Sequence, residues 1–273
     1  MPEVVIRPSK GWPSLQIGEL WAHRELLYFL TWRDVKVRYK QTAFGAAWAL
    51  IQPLSLMVVF TVLFGQVVPE ASGIGDIPAP IFFYCGLVPW TLFSSSLLGA
   101  SQSVVAGSNL VTKIYFPRLI MPIAATGSHL IDFGIAMTVL VGMMVFYGIV
   151  PTPRMLWLPA FTLLTLITAL GVGIGMSALN AKYRDVGYAV PFLIQILLFL
   201  SPVAYPASSV SGAFAPLYYL NPMAGAIEGF RWCLLPTGGL SGLTVLSAVM
   251  AVFLFFVSLY YFRALERSFA DVI

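Results

Sequence analysis

His129 and Asp132 stand three positions apart in an otherwise uncharged apolar tract, 119–153, of this 273-residue chain. On a helix that offset puts both on one face. An imidazole beside a carboxylate in hydrocarbon can relay protons, and intramembrane carboxylates are functional suspects by default. A single such pair is little machinery for a proton-coupled transporter, so Asp132 is read as a helix-packing residue, with a relay as the alternative. Glu228 and Arg231 repeat the offset and read as an ion pair, because either charge alone in an apolar setting would be costly. Cys85 and Cys233 are too few for a disulfide framework or a zinc site. They read as small apolar side chains, with a bridge between them as the alternative. No GxxxxGK[ST], HExxH, CxxC or nucleophile elbow occurs, and with them go a phosphate cradle, metal hydrolysis and acyl transfer. The isolated chain is expected to be no enzyme and to hold no cofactor.

Composition sets what must position these residues. The chain is 59% hydrophobic and 10% charged, with a mean hydropathy of +0.88. Soluble domains carry about 25% charged residues, so lipid must cover most of this surface. The net charge of +4 is spread between apolar runs rather than clustered, a pattern of membrane topology rather than of nucleic-acid binding. No early apolar stretch resembles a secretory signal. Crossing a bilayer takes about 20 apolar residues. Trimmed at prolines and glycines, the apolar tracts predict six helices near 44–68, 81–107, 119–149, 157–179, 188–205 and 242–262. The intervening 206–241 is apolar and punctuated by Pro206, Pro216, Pro222 and Pro236. It reads as a re-entrant or interfacial hairpin, tolerable only where protein or water covers its backbone. With the amino terminus inside, thirteen of the fifteen lysines and arginines lie inside, leaving Arg154 and Arg231 outside. Both termini are therefore expected in the cytoplasm.

The expected architecture is an all-α integral membrane protein: a cytoplasmic segment 1–40 with an amphipathic interface helix, then a six-helix domain over 41–273. In segment 15–40, Trp21, Tyr28, Trp32, Val35 and Tyr39 recur along one helical face. Arg33, Lys36 and Lys40 make an adjacent basic stripe, with Arg38 on the far flank, as in helices that lie in a membrane surface. Such a helix serves either as a topology anchor or as a platform for a cytoplasmic partner. The first inner loop, 108–118, has Asn109 as a cap and Pro117 as a stop. An exposed Tyr115–Phe116 pair between Lys113 and Arg118 would suit a protein contact. The second inner loop, Lys182 to Asp185, shows a tight polar turn. Aromatics make up 14% of the chain. Most must pack or belt the membrane, but Tyr84, Trp90, Phe93, Tyr205, Tyr218 and Tyr219 are candidates to line a path through the bundle.

The run from Arg33 through Thr42, with Phe44, Gly45, Trp48 and Gln52-Pro53-Leu54, resembles the opening of the permease subunits of ATP-binding-cassette polysaccharide exporters. These export O-antigen, capsule or teichoic acid. Lys113–Arg118, Tyr183–Val186 with Leu200–Val203 and Tyr205, and Leu220–Met223 with Gly229-Phe230-Arg231 are similar to later stretches of the same family. The resemblance implies a homodimer clasping two cytoplasmic ATPase subunits, which would bind the ATP and Mg. It implies that Lys113, Tyr115, Phe116 and Arg118 form a coupling helix seated on the ATPase, with Tyr183, Arg184 and Asp185 as a second contact. It also implies that the hairpin bearing Asn221, Glu228 and Arg231 frames the outer mouth in the bacterial inner membrane. The alternatives are an exporter of a drug, haem or small lipid, a secondary transporter using His129 and Asp132, and a membrane transferase acting on lipid-linked sugars.

Overall fold

The computed structural model describes residues 17–40, 47–65, 77–113, 116–210 and 212–266. Among these the regular elements are all helical. Helices α1 (Ile17–Ala22) and α2 (Arg24–Lys40) precede α3 (Trp48–Phe64), α4 (Ala79–Ala106) and the short α5 (Ser108–Lys113). Then come α6 (Ile120–Phe146), α7 (Leu158–Lys182) and α8 (Val186–Leu200). The chain closes with α9 (Ala215–Tyr219), α10 (Pro222–Leu234) and α11 (Thr244–Glu266). The segment expected as one interface helix is broken at His23, between α1 and α2.

The 28-residue α4 is the axis of the bundle, packed by α3, α6, α7 and α10 and buried along most of its length. Its start follows the rule that proline suits the first helical turn, where its missing N–H is no loss. Helix α7 joins α4 on one side and α11 on the other, and small residues let the backbones close up. A Cβ on Gly173 would stand 2.7 Å from the Ala100 Cβ of α4, and one on Gly171 would meet the Phe255 backbone of α11 at 3.0 Å. Buried hydroxyls fold back onto their own helices. Thr126, Thr165 and Thr168 donate to carbonyls four residues earlier, and Ser103, Ser128 and Ser177 to carbonyls three earlier.

Four helical segments are long and apolar enough to cross a membrane: Ala79–Ala106, Ile120–Phe146, Pro153–Lys182 and Thr244–Glu266. Helices α3 and α8 are apolar but have 17 and 15 residues. They rise about 25 and 22 Å, short of a hydrocarbon core of about 30 Å. The span expected over 188–205 ends at Leu200, where Ser201 turns extended ahead of Pro202. Segment 206–241 holds two single 3-10 turns, α9 and α10. Asn221 caps α10 by accepting from the Met223 amide at 3.0 Å, with Pro222 in the first turn. Gly173→Leu has no room against α4. It is expected to cost about 1–3 kcal/mol, read as a lowered melting temperature of the chain in detergent, while Gly134→Ala, with open space around it, leaves the melting temperature in place.

Candidate functional site

The charges of α6 are answered by α2. Arg38 donates to the Asp132 carboxylate through one guanidinium nitrogen, and Tyr39 donates its hydroxyl to the other carboxylate oxygen. The guanidinium also lies 2.9 and 3.2 Å from the two ring nitrogens of His129 and reaches Ser128 Oγ at 3.3 Å. Gly99 of α4 makes space for the imidazole, since a Cβ there would sit 2.9 Å from His129 Nε2. Burial, and next the Asp132 carboxylate, hold the Tyr39 phenol above its ordinary range, so it serves as a neutral donor. Two turns back, Thr31 donates to its own helix at Leu27 O, 2.9 Å away, and lies 3.4 Å from the Ala124 carbonyl of α6. The result is a clasp binding α2 to α6. Arg38, expected on the outer flank of the basic stripe, points inward because the only carboxylate of α6 draws it there.

The rest of α2 follows the face assignment in part. Trp21, Tyr28 and Trp32 are exposed, while Val35 is buried against the bundle. Arg33 pairs with neighbouring Asp34 at 2.8 Å, Lys36 lies over the Trp32 ring at 5.5 Å, and Lys40 is exposed.

Beside α2, the ends of α4, α6, α7 and α11 form one basic end of the bundle. Phe116 was expected in an exposed pair with Tyr115. It is 5% exposed, packed in a cluster with Leu30, Leu119, Ile120, Ala178 and Phe262. An apolar ring flanked by four helix ends gains more from burial than from water. Tyr115 lies outside the described residues. The Arg118 amide bonds Glu266 Oε1 at 3.1 Å and its guanidinium bonds the Glu266 carbonyl, while Arg263 pairs with Glu266 at 2.8 Å. Among the described residues, Lys113 and the turn Lys182, Tyr183, Arg184 and Asp185 stand exposed at the basic end.

At the opposite end the expected Glu228–Arg231 ion pair is absent. Arg231 is buried and donates to the carbonyls of Pro202 at 2.5 Å, Val203 at 2.7 Å, Tyr205 at 3.1 Å and Phe82 at 3.4 Å. Its guanidinium carbon lies 3.7 Å from the Phe82 ring centroid. Glu228 instead accepts from Tyr219 at 2.5 Å and from Thr244 at 3.3 Å. The physical reason is the break after α8: its unwound carbonyls need donors, and one guanidinium supplies several. Asn221 ties the same break down through Leu200 O and Ser201 Oγ. Of the path candidates, Tyr84, Trp90 and Phe93 are buried inside the bundle, with the Tyr84 hydroxyl on Ala136 O at 3.2 Å. Tyr205 and Tyr218 join hydroxyls at 3.1 Å near the break, and Tyr219 is held by Glu228.

Two glutamines given no role of their own from the sequence, Gln52 and Gln195, complete the site. On α8, Tyr188, Phe192, Gln195 and Phe199 lie at helical spacing on one exposed stripe. On α3, Trp48, Gln52, Ser55, Val59 and Val62 form another. Neither Gln52 nor Gln195 has a hydrogen-bond partner among the described residues. The exposed side of α11, from Val245 through Val249, Phe253 and Val257, carries no such amide. The signal was the one glutamine within each of these helices, Gln52 in Trp48–Phe64 and Gln195 in Val186–Leu200. Asp132→Ala removes the acceptor of both Arg38 and Tyr39. It is expected to cost about 1–3 kcal/mol and to speed tryptic cleavage within α2 several-fold in nanodiscs. Asp132→Asn, which keeps an acceptor, shows the smaller effect in the same assay.

Residues 25–235 match the family described as ABC-2 type transporter. The O-antigen export system permease protein RfbA of Myxococcus xanthus is 29% identical over 218 residues, covering 79% of this chain and 82% of that protein. A protein of the same name from Klebsiella pneumoniae is 28% identical over 209 residues, covering 76% and 79%. The polysialic acid transport protein KpsM of Escherichia coli is 22% identical over 209 residues, covering 75% and 79%. With a match across most of its length, over a helical bundle that presents apolar faces outward, the chain belongs to the membrane-spanning ABC-2 type transporter family.

Proposed function

We propose that this chain is the channel-forming permease of an ATP-driven exporter that moves polysaccharide, of the lipid-linked O-antigen kind, across the bacterial inner membrane. Two copies, each with six spans, enclose the path. Two cytoplasmic ATP-binding-cassette subunits dock on the basic end and hold the ATP and Mg2+. The spans include α3 and α8, and α10 forms a re-entrant element at the outer mouth.

The observation that carries the path is the pair of unpartnered amides, Gln52 and Gln195, on the exposed stripes of α3 and α8. An amide facing lipid forfeits its hydrogen bonds, whereas one facing a second chain or a wet passage does not. Those stripes therefore meet across a two-fold seam, while the uniformly apolar side of α11 meets lipid. Phe192 and Phe199 on either side of Gln195, with Trp48 one turn from Gln52, offer shallow contacts on which a polymer slides. The cargo reading is supported by the relatives' names, O-antigen export and polysialic acid transport.

Force enters at the exposed Lys113 and the Lys182–Asp185 turn. The apolar cluster around Phe116 joins α2, α6, α7 and α11 at that end, so a push there turns them as one body. A proton-driven mechanism has less to work with, since Arg38 already neutralises Asp132.

Joint reversal of Lys113→Glu and Arg184→Glu is expected to lower the ATPase activity of the complex with its partner at least tenfold, with the chain still folded. Gln195→Cys, with Cys85 and Cys233 replaced by Ala, is expected to form a disulfide-linked dimer on mild oxidation, and Val249→Cys is not. Transport by the chain alone on an ion gradient, with nucleotide irrelevant, ends this reading.

A further inference from the structure

A cavity of about 240 Å3 lies between α2, α3, α4 and α6. Its walls include Tyr39, Trp48, Gln52, Ser95 and Asp132. It shares Arg38 and His129 with a second cavity of about 220 Å3 reached past Gln102, Ser103 and Ser128. The two lie either side of the clasp at the basic half of the bundle; Arg33 and Asp34, paired with each other, line the second, and the first is a cleft walled by the clasp itself.

The chemistry of this lining is selective. Arg38 and Asp132 answer each other, so the cleft offers neither a free cation for an anion nor a bare carboxylate for a cation. Among the described residues no group of His, Cys, Asp and Glu could hold a metal. What remains is hydrogen-bonding capacity without net charge. The Gln52 amide has no partner within the described chain, Thr91 has spare acceptor capacity beyond its bond to Val88 O, and Asp132 has carboxylate lone pairs beyond its two bonds. Trp48, half-exposed at the rim, and Phe133 add aromatic surface. Donors, acceptors and flat apolar faces together match a neutral ring bearing many hydroxyls. The larger cavity at the far end, about 480 Å3 and lined by Phe93, Val172, Leu197 and Leu254, is apolar and lacks this character. Gln52 also belongs to the exposed stripe of α3, so the cleft opens where the proposed path begins.

We infer that the cleft is a sugar-binding subsite at the entrance of the path, taking one uncharged, hydroxyl-rich ring of the polymer as it enters. This rests on the polysaccharide-exporter reading. The subsite gives the polymer a first polar foothold on the cytoplasmic side before it meets the aromatic stripe of α8.

The test uses the full chain in lipid nanodiscs, with saturation-transfer NMR against D-mannose, D-galactose, L-rhamnose and N-acetylglucosamine, and with glycerol phosphate as the headgroup probe. Two variants close the cleft differently: Ser95→Leu fills it, and Gln52→Leu removes its free amide. Melting temperatures certify their folds. The expected result is transfer to ring protons of at least one sugar, reduced severalfold in both variants, and a drop of surface polysaccharide of tenfold or more when Ser95→Leu replaces the wild-type chain in cells. Equal sugar signals in wild type and variants overturn the proposal, as does transfer to glycerol phosphate in place of sugar. Loss of export with no sugar contact overturns the sugar assignment too. If the wild-type chain restores polysaccharide export to cells lacking it while these tests fail, only the subsite falls. If it restores none, the exporter reading falls with it.

Discussion

A chain that lives in hydrocarbon must satisfy its polar groups from within, and the rest of this structure is arranged around that demand. Along the spans the answer is local, with serine and threonine hydroxyls turned back onto carbonyls of the preceding turn. Where the backbone stops being helical the answer must come from a distance. The break after α8 exposes the carbonyls of Pro202, Val203 and Tyr205, and Arg231 of α10 reaches all three. The charge of the guanidinium is thereby spread over carbonyl dipoles and the face of Phe82. A carboxylate beside it would have served one partner; the carbonyls use the whole fork.

The same demand explains the clasp. Asp132 is not left bare in its cavity wall, because Arg38 and Tyr39 arrive from α2 to meet it. Helix α2 thus belongs mechanically to α6, a neighbour in space though far along the chain. Around it, the Phe116 cluster and the Arg118–Glu266–Arg263 network knit helix ends distant in sequence into a single block. On the proposed reading, in which force enters at the basic end, such a block would move several helices together, since interfaces of this kind switch as bodies rather than bending continuously.

Polar groups that the chain leaves unsatisfied are then informative. Gln52 and Gln195 stand on outward faces of the two shortest apolar helices, which are also sparsely covered by the rest of the bundle. Their exposure is tolerable where another copy, water or substrate supplies what lipid cannot. Apart from Gln102 of α4, the long helices carry their polar groups mostly inward or answered, whereas the short ones carry these amides outward.

Much of this was legible in the residues alone. The apolar tracts and the spacing of lysine and arginine between them follow from hydropathy, though the break before Pro202, inside the helix expected over 188–205, does not, and hydropathy acts residue by residue. So does the family resemblance, which rests on short runs kept in order. Side-chain partnership is different, since it depends on which helices lie together. Reasoning along one helix paired Glu228 with Arg231 and left Asp132 with only His129, because helical spacing sees neighbours three and four residues away. The fold instead brought Arg38 across 94 positions to Asp132 and the unwound turn at 202–205 to Arg231. Phe116 was read as exposed from its basic flanks, and only the convergence of α2, α6, α7 and α11 could bury it. Composition decides that a chain enters the membrane and roughly where. Which of its few charges meet is decided by packing, because in a low-dielectric interior each charge takes whatever partner the bundle brings within reach.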